Sequence, residues 1–397
     1  MHLFYIITTV LSCCSIYGHF PSKLKIFSAV FAMISVVHFM IEFKTENLKT
    51  IAKFFVEYSK YILMLIIVSL VIYVTDLSST ALIGRGFEKI FYQFLTILCA
   101  VMAVYEFGEK AVDYTFQAFA IFNLLAMVLA FKDTGSVSQV LSDLSYFISS
   151  GGDAQGYFRL LELHEVTFSF GMFMIYFIVD GTKKHWKEIT ICIFFFLVGF
   201  KRAGILGILG AVFYYGLVHK IDERYIKILT TSLMWFFVVF GFAYVAFVRS
   251  GAFTALMEEL DINMMGRQNL YKYIEDFYVI SPTFTGHGFE SIREILAAAG
   301  DLKIENTYVA RLTALHCDFL AMYIEMGFFG YLAWLYYRFV WLTNFCKSYG
   351  RKAYISCAMC SIYAGITYLT DNTSLYFYMV LIGWMIPLVF AIQGKKT

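Results

Sequence analysis

Apolar runs of about twenty residues, with no stripe of polar positions at helical spacing, recur along most of the chain, which is the pattern of membrane helices and not of buried core helices. They predict helices over 3–20, 26–42, 61–75, 91–107, 113–131, 166–181, 188–200, 203–219, 228–248, 316–345, 353–370 and 374–392. Several fall short of the roughly 20 residues that a perpendicular span requires, so one or two can be re-entrant. The three prolines, Pro21, Pro282 and Pro387, fall near expected helix ends. Two long polar stretches, 132–165 and 249–315, interrupt the pattern. The second is long enough to form a small subdomain of its own. Within it, Gln268–Ile280 reads as a short interfacial helix with Leu270, Ile274 and Phe277 on one stripe. Gly286-His287-Gly288 is a turn or a phosphate nest, and Ser291–Ala299 a second helix with Ser291 as N-cap and Gly300 as stop. The expected fold is an all-α polytopic membrane domain, 1–397, of about twelve transmembrane helices. The 249–315 loop caps it, and 132–165 forms a second loop.

Composition agrees with this and excludes other classes. Of the 397 residues 60% are hydrophobic and 15% charged, against roughly a quarter charged in a soluble domain. A net charge of +2 with no basic tract argues against nucleic acid. Seven of the eight cysteines sit inside apolar runs, and only Cys317 lies near a loop, so no disulfide framework is implied. Cys357 and Cys360 simply share a helix face. The first segment lacks a positive start and an A-x-A-like cleavage site, so it reads as a retained helix.

Orientation follows from lysine and arginine in the short loops. With twelve spans both termini share a side, and that side carries Lys44, Lys49, Lys53, Lys60, Lys110, Lys183, Lys184, Lys187, Lys220, Arg224, Lys227, Lys347, Arg351, Lys352, Lys395 and Lys396. The opposite turns are poorer in cations, and Asp371-Asn372-Thr373 has none. The termini are therefore expected in the cytoplasm, with 132–165 and 249–315 outside.

Four outer stretches hold candidate chemistry. Arg159, Glu162, His164 and Glu165 are embedded among leucines where the first long loop enters a helix, either as a cleft or as an interfacial anchor with an Arg159–Glu162 pair. Lys201 and Arg202 interrupt an apolar run, where they either face an anionic ligand or snorkel to headgroups. Gly266-Arg267 and Gly286-His287-Gly288 suit a phosphate, through a guanidinium fork and close backbone approach. Finally His316-Cys317-Asp318 opens a long helix with Glu325 about two turns deeper. His316 there is a general base or a helix cap. Arg293 and Arg311 add further cations to the large loop. No zinc-protease, P-loop, nucleophile-elbow or EF-hand pattern occurs. Glu259-Leu260-Asp261 has the spacing of a metal-binding pair but lies in the late loop among solvated charges. Neither metal nor cofactor is expected.

In this order the stretches resemble the O-antigen polymerase and O-antigen ligase superfamily of bacterial surface-polysaccharide enzymes. The resemblance rests on Arg159 with His164-Glu165, on Lys201-Arg202-Ala203-Gly204, on Gly266-Arg267 and on Gly286-His287-Gly288. It ends with His316-Cys317-Asp318-Phe319-Leu320 running into Glu325-Met326-Gly327-Phe328-Phe329-Gly330. Val166 and Cys317 replace the usual asparagines. The match spans about 159–332, and residues 1–158 match only as generic helices. The resemblance implies a GT-C-like inverting glycosyltransferase of the inner membrane, needing neither metal nor nucleotide sugar. Its donor is an oligosaccharide on undecaprenyl pyrophosphate at the periplasmic face, and a chain-length regulator and a flippase are possible partners. His316, His164, Glu165 and Asp318 are the candidate catalytic residues, and Arg159, Lys201, Arg202, Arg267, His287, Arg293 and Arg311 the candidate substrate-binding ones. A repeat-unit polymerase is expected; the alternatives are the ligase and, from another class, a lipid-linked oligosaccharide flippase or secondary transporter. Against the last, no halves match and the charge lies in outer loops rather than at mid-membrane.

Overall fold

The computed structural model describes residues 1–17, 20–44, 46–75, 83–149, 156–199, 201–260, 267–298, 303–304, 307–308 and 314–394. It is almost wholly helical, and each predicted apolar run contains a helix. The chain opens with α1 (His2–Cys14), α2 (Ile26–Ile41), α3 (Leu48–Thr75), α4 (Ile83–Phe107) and α5 (Ala111–Thr134). The first polar stretch supplies two short helices, α6 (Val137–Ser149) and α7 (Gly156–Leu160). Then come α8 (His164–Gly181), α9 (Trp186–Gly199), α10 (Arg202–Val218) and α11 (Glu223–Arg249). The second polar stretch holds α12 (Ala252–Glu259), α13 (Arg267–Ile274) and α14 (Ser291–Ala298), with a two-residue β-hairpin that pairs Lys303–Ile304 with Thr307–Tyr308. A folded-back segment follows, of α15 (Asp318–Leu335), a π-helical turn (Tyr336–Trp341) and α16 (Leu342–Lys347). The last helices are α17 (Arg351–Thr367) and α18 (Phe377–Gln393). Among the described residues, five stretches are long and apolar enough to cross a membrane: Lys23–Ile41, Leu48–Thr75, Gly84–Thr134, Glu223–Arg249 and Asp318–Lys347. The chain is a polytopic membrane protein.

Helices α8, α17 and α18 are buried on nearly every face, as all-round apolar helices must be. The others surround them and turn large apolar side chains outward, such as Leu63, Ile67 and Val74 on α3, Leu206 and Phe213 on α10 and Trp235 and Val239 on α11. So much exposed apolar surface is tolerable only against lipid. The lysine-rich loops gather at one end of the bundle. There Lys352 and Lys184 meet Asp180 at 3.2 and 2.7 Å, Arg351 donates to the Val218 carbonyl, and Lys44 meets Glu106 at 3.0 Å.

Several expectations are corrected. Pro387 lies within α18, not at its end. Its ring leaves the carbonyl of Gly383, four positions earlier, without the usual helical donor. Ser291 is no N-cap: it is already helical, and its hydroxyl has no partner among the described residues. Gly300 lies outside the described residues, as do Phe200, Asp261, Gly266, Arg311, Lys395 and Lys396.

The largest correction concerns 316–345, which is not one straight helix. Gly327 adopts φ 67° and ψ −177°, and α15 folds back there. The Phe319 ring consequently lies 6.5 Å from Phe339 and 6.4 Å from Trp334, whereas a straight helix would hold residues 319 and 339 roughly 30 Å apart. Glu325 is therefore not two turns deeper in a span. It stands on the short first arm of α15, where its carboxylate accepts from the Ile292 amide at 3.4 Å.

A strap from the large loop repairs the break. The Phe328 amide, which would have bonded Ile324 in a helix, donates instead to the Phe284 carbonyl at 2.9 Å. The His287 and Gly288 amides donate to the Ile324 and Glu325 carbonyls at 3.1 and 2.9 Å. These two amides are thus occupied, and the phosphate-nest reading of Gly286-His287-Gly288 does not hold. The backbones meet so closely that a Cβ at Gly286 would collide with the Gly327 nitrogen.

Candidate active site

The site is built around the turn between α17 and α18, which contacts from several helices pin in place. The Asp318 amide donates to the Tyr368 carbonyl at 2.9 Å, and the Ser374 amide donates to Asp318 Oδ2 at 2.7 Å. The Tyr378 amide donates to Glu165 Oε1 at 3.0 Å, and the hydroxyls of Thr367 and Thr373 lie 2.7 Å apart. Glu165 also meets Lys25 Nζ at 3.2 Å. Each carboxylate thereby satisfies an orphan amide near the α18 N-terminus, where negative charge is favoured.

What this turn presents is Asp371. Its nearly buried carboxylate faces two imidazoles: Oδ2 lies 3.7 Å from His164 Nδ1, and Oδ1 lies 3.7 Å from His316 Nδ1. Oδ1 also accepts from the Tyr376 hydroxyl at 2.6 Å and from the Asn372 amide at 2.8 Å. Burial alone would raise the Asp371 carboxyl, but His164, His316 and Tyr376 outweigh it and hold the group well below the usual carboxylate range. A stable anion thus orients two histidines by their Nδ1 edges.

The two imidazoles differ at Nε2. In His164 it lies 3.2 Å from Lys201 Nζ, whose ammonium can only donate. Lys201 also pairs closely with Glu162, so the Arg159–Glu162 pair considered from spacing gives way to a Lys201–Glu162 pair. Among the described residues no hydrogen-bond or ion-pair partner stands at His316 Nε2. His316 itself sits at φ 52°, an uncommon left-handed conformation for a residue with a side chain. Such outliers persist only where the surroundings hold them in place, and they concentrate at functional sites.

Cations flank the pair. Lys201 is nearly buried, whereas Arg202 opens α10 exposed and has no carboxylate partner among the described residues. Arg267, half-buried at the start of α13, is close enough to Cys317 and Tyr271 for its charge to act on both. Together they set positive charge beside two imidazoles, an arrangement able to stabilise a developing anion next to a group that can take up a proton.

The remaining candidates lie elsewhere. Glu165 and Asp318 hold the Asp371 turn in place and, among the described residues, make no ion pair with either imidazole. Arg159 lines a cavity of about 510 Å³ with Asp133 and Asp143. His287 Nε2 is bound to the Phe277 carbonyl at 2.6 Å within the strap. Arg293 lines a different cavity, across the Asp371 turn. Sequence reasoning missed Asp371 and Tyr376. The available signal was a lone acid in a short turn between two apolar runs, with no cation near it in sequence.

Residues 189–335 match the family model described as O-antigen ligase. Over that stretch, a little more than a third of the chain, the protein is similar to the O-antigen ligase family. The matched stretch holds Lys201, Arg202, Arg267 and His316, while His164 and Asp371 lie outside it. No curated protein matches the chain.

Proposed function

We propose that the chain is a polymerase of the inner membrane, joining oligosaccharide repeat units carried on undecaprenyl pyrophosphate into a surface polysaccharide at the periplasmic face. The observation that carries the reading is the Asp371 carboxylate set between His164 and His316, with the cations Lys201 and Arg202 alongside. In this reading the chain crosses the membrane twelve times, with both termini in the cytoplasm, and 249–315 forms a periplasmic cap. The gathering of the lysine-rich loops at the end opposite the histidines supports that orientation.

An acceptor sugar hydroxyl gives its proton to His316 Nε2 and attacks the anomeric carbon of the donor glycan. The bond from that carbon to the pyrophosphate oxygen breaks with inversion, and undecaprenyl pyrophosphate leaves with the electron pair. Arg202 and Arg267 neutralise the charge that grows on it. Asp371 stabilises the imidazolium formed on His316, and Lys201 keeps His164 Nε2 occupied. His316 is thus the acceptor of the proton and His164 a neighbour that shapes the anion.

The ligase reading shares this chemistry and differs in the acceptor. The surface-glycan profile of a strain lacking the gene separates them. Core capped with one repeat unit is the expected result; bare core with long chains retained on the carrier would make the protein a ligase.

A further inference from the structure

A second cationic cavity, of about 520 Å³, lies across the Asp371 turn from the histidines. Lys23 and Lys25 come to it from the α1–α2 connection, Lys89 from α4 and Arg293 from α14, facing the carboxylates Glu88 and Glu165. Four cations against these two carboxylates and Glu290, which lies beside Lys89, leave the cavity positive. Lys25 meets Glu165 at 3.2 Å and Lys89 meets Glu290 at 3.8 Å, while Lys23 and Arg293 are exposed and have no ion-pair partner among the described residues.

Its position relative to the histidine site follows from helix geometry. His164 and Glu165 are consecutive, and a step of about 100° around the helix turns them apart. His164 faces Asp371, whereas Glu165 faces Lys25 and lines the cavity. The α17–α18 turn divides likewise, with Asp371 toward the imidazoles and Leu375 toward the cavity.

The cavity is also amphipathic. Ile16, Leu375 and Phe377 form apolar wall beside the cations. Ile26 and Phe91, next in sequence to lining residues, are 61% and 59% exposed, apolar surface suited to lipid. A polar ligand would not need that flank, and an apolar one would not need the cations.

We infer that this cavity holds the phosphate head of a second lipid-linked substrate, the acceptor, while the donor occupies the site of Arg202 and Arg267. The inference rests on the reading of the chain as an enzyme that joins two lipid-linked units. One turn then serves both substrates, presenting Asp371 to the transfer site and Leu375 to the acceptor's head.

The test is binding stoichiometry. Purified full-length protein in phosphatidylcholine nanodiscs is titrated with radiolabelled undecaprenyl pyrophosphate, and each variant's helical circular dichroism is checked against wild type. Wild type should bind two equivalents. The Lys23→Ala/Arg293→Ala double variant should bind one normally and the other about tenfold or more weakly, since two charge-assisted phosphate contacts are lost. Arg202→Ala should lose the other equivalent and keep the cavity's. Two unaltered equivalents in the double variant, or a single equivalent in wild type lost only with Arg202→Ala, overturns the inference and leaves the transfer site standing. Two unaltered equivalents in Arg202→Ala overturns the transfer site instead. Inorganic pyrophosphate competing as well as the lipid would make the cavity a simple phosphate site, and phosphatidylglycerol doing so a general headgroup site. Either result overturns the assignment to a lipid-linked substrate.

Discussion

His316 Nδ1 lies 3.7 Å from Asp371 Oδ1, so the histidine that opens the first arm of α15 is oriented by a carboxylate from the turn between the last two helices. In the proposed mechanism Asp371 positions the imidazole and does not itself touch the substrates. Asp371→Asn keeps the turn's size while removing the anion, and turnover of lipid-linked units should fall about 10²–10⁴-fold, the worth of a correctly set general base. Because the folded-state pKa of Asp371 is depressed, its contribution to stability is fully present above the ordinary carboxylate value and is lost as pH falls through the folded one. The stability gap between wild type and Asp371→Asn should accordingly be constant above about pH 5 and shrink progressively below about pH 4. A gap that widens on acidification would contradict this assignment.

His316→Ala should nearly abolish long chains, with a loss of about 10²–10⁴ in rate. His164→Ala should cost less, because the Nε2 of His164 is already engaged by Lys201. In vitro turnover by the two purified variants decides between them. If His316→Ala polymerises at close to the wild-type rate, the base is to be sought at His164.

Arg202 and Arg267 are expected to contact the leaving pyrophosphate. Arg→Lys retains the charge but loses the planar fork, so each lysine variant should turn over substrate at least about tenfold more slowly, at unchanged protein level. Normal polymer from both removes the two arginines from the site.

Gly327→Ala should destabilise the protein by about 3 kcal/mol or more through a left-handed backbone and a clash. With φ at 67°, a Cβ there would collide with the Thr285 carbonyl. Thermal unfolding in detergent and the level of protein in membranes both report the loss. An alanine variant as stable as wild type would mean that α15 does not fold back on the strap.

Labelling of intact cells should reach cysteines placed at Ser250 or Ala298 from the periplasm. The eight native cysteines are buried, so the background is low. Labelling solely from the cytoplasm would reverse the orientation and remove the proposed mechanism with it.

Much of the architecture was legible in the residues alone because lipid solvation acts locally. An apolar run such as Ile228–Val248 in α11, or Phe377–Gln393 in α18, must be helical wherever it lies, since no other arrangement of a single segment satisfies its amides in hydrocarbon. Helix positions, the lysine-rich end and the order of Lys201-Arg202, Arg267 and His316 along the chain were all readable in this way.

The candidate site was legible only in part. His164, Lys201, Arg202 and His316 stood out because a charge or an imidazole at the edge of an apolar run is costly unless it has a task. Asp371 did not, since nothing within several residues of it hints at two imidazoles that come from 164 and 316.

That the chain is built of apolar helices of the membrane type, and which residues between them carry charge, was legible in the order of its residues, because burial in lipid and helix formation depend on neighbours along the chain. Long-range packing was needed to bring Asp371 to His164 and His316, to secure its turn with Glu165 and Asp318, and to fold α15 back at Gly327. Each of these depends on contacts between segments far apart in sequence. A carboxylate's role is set by what is packed against it, and a helix breaks at a glycine only where another stretch of chain, here Phe284–Gly288, takes up the hydrogen bonds it releases.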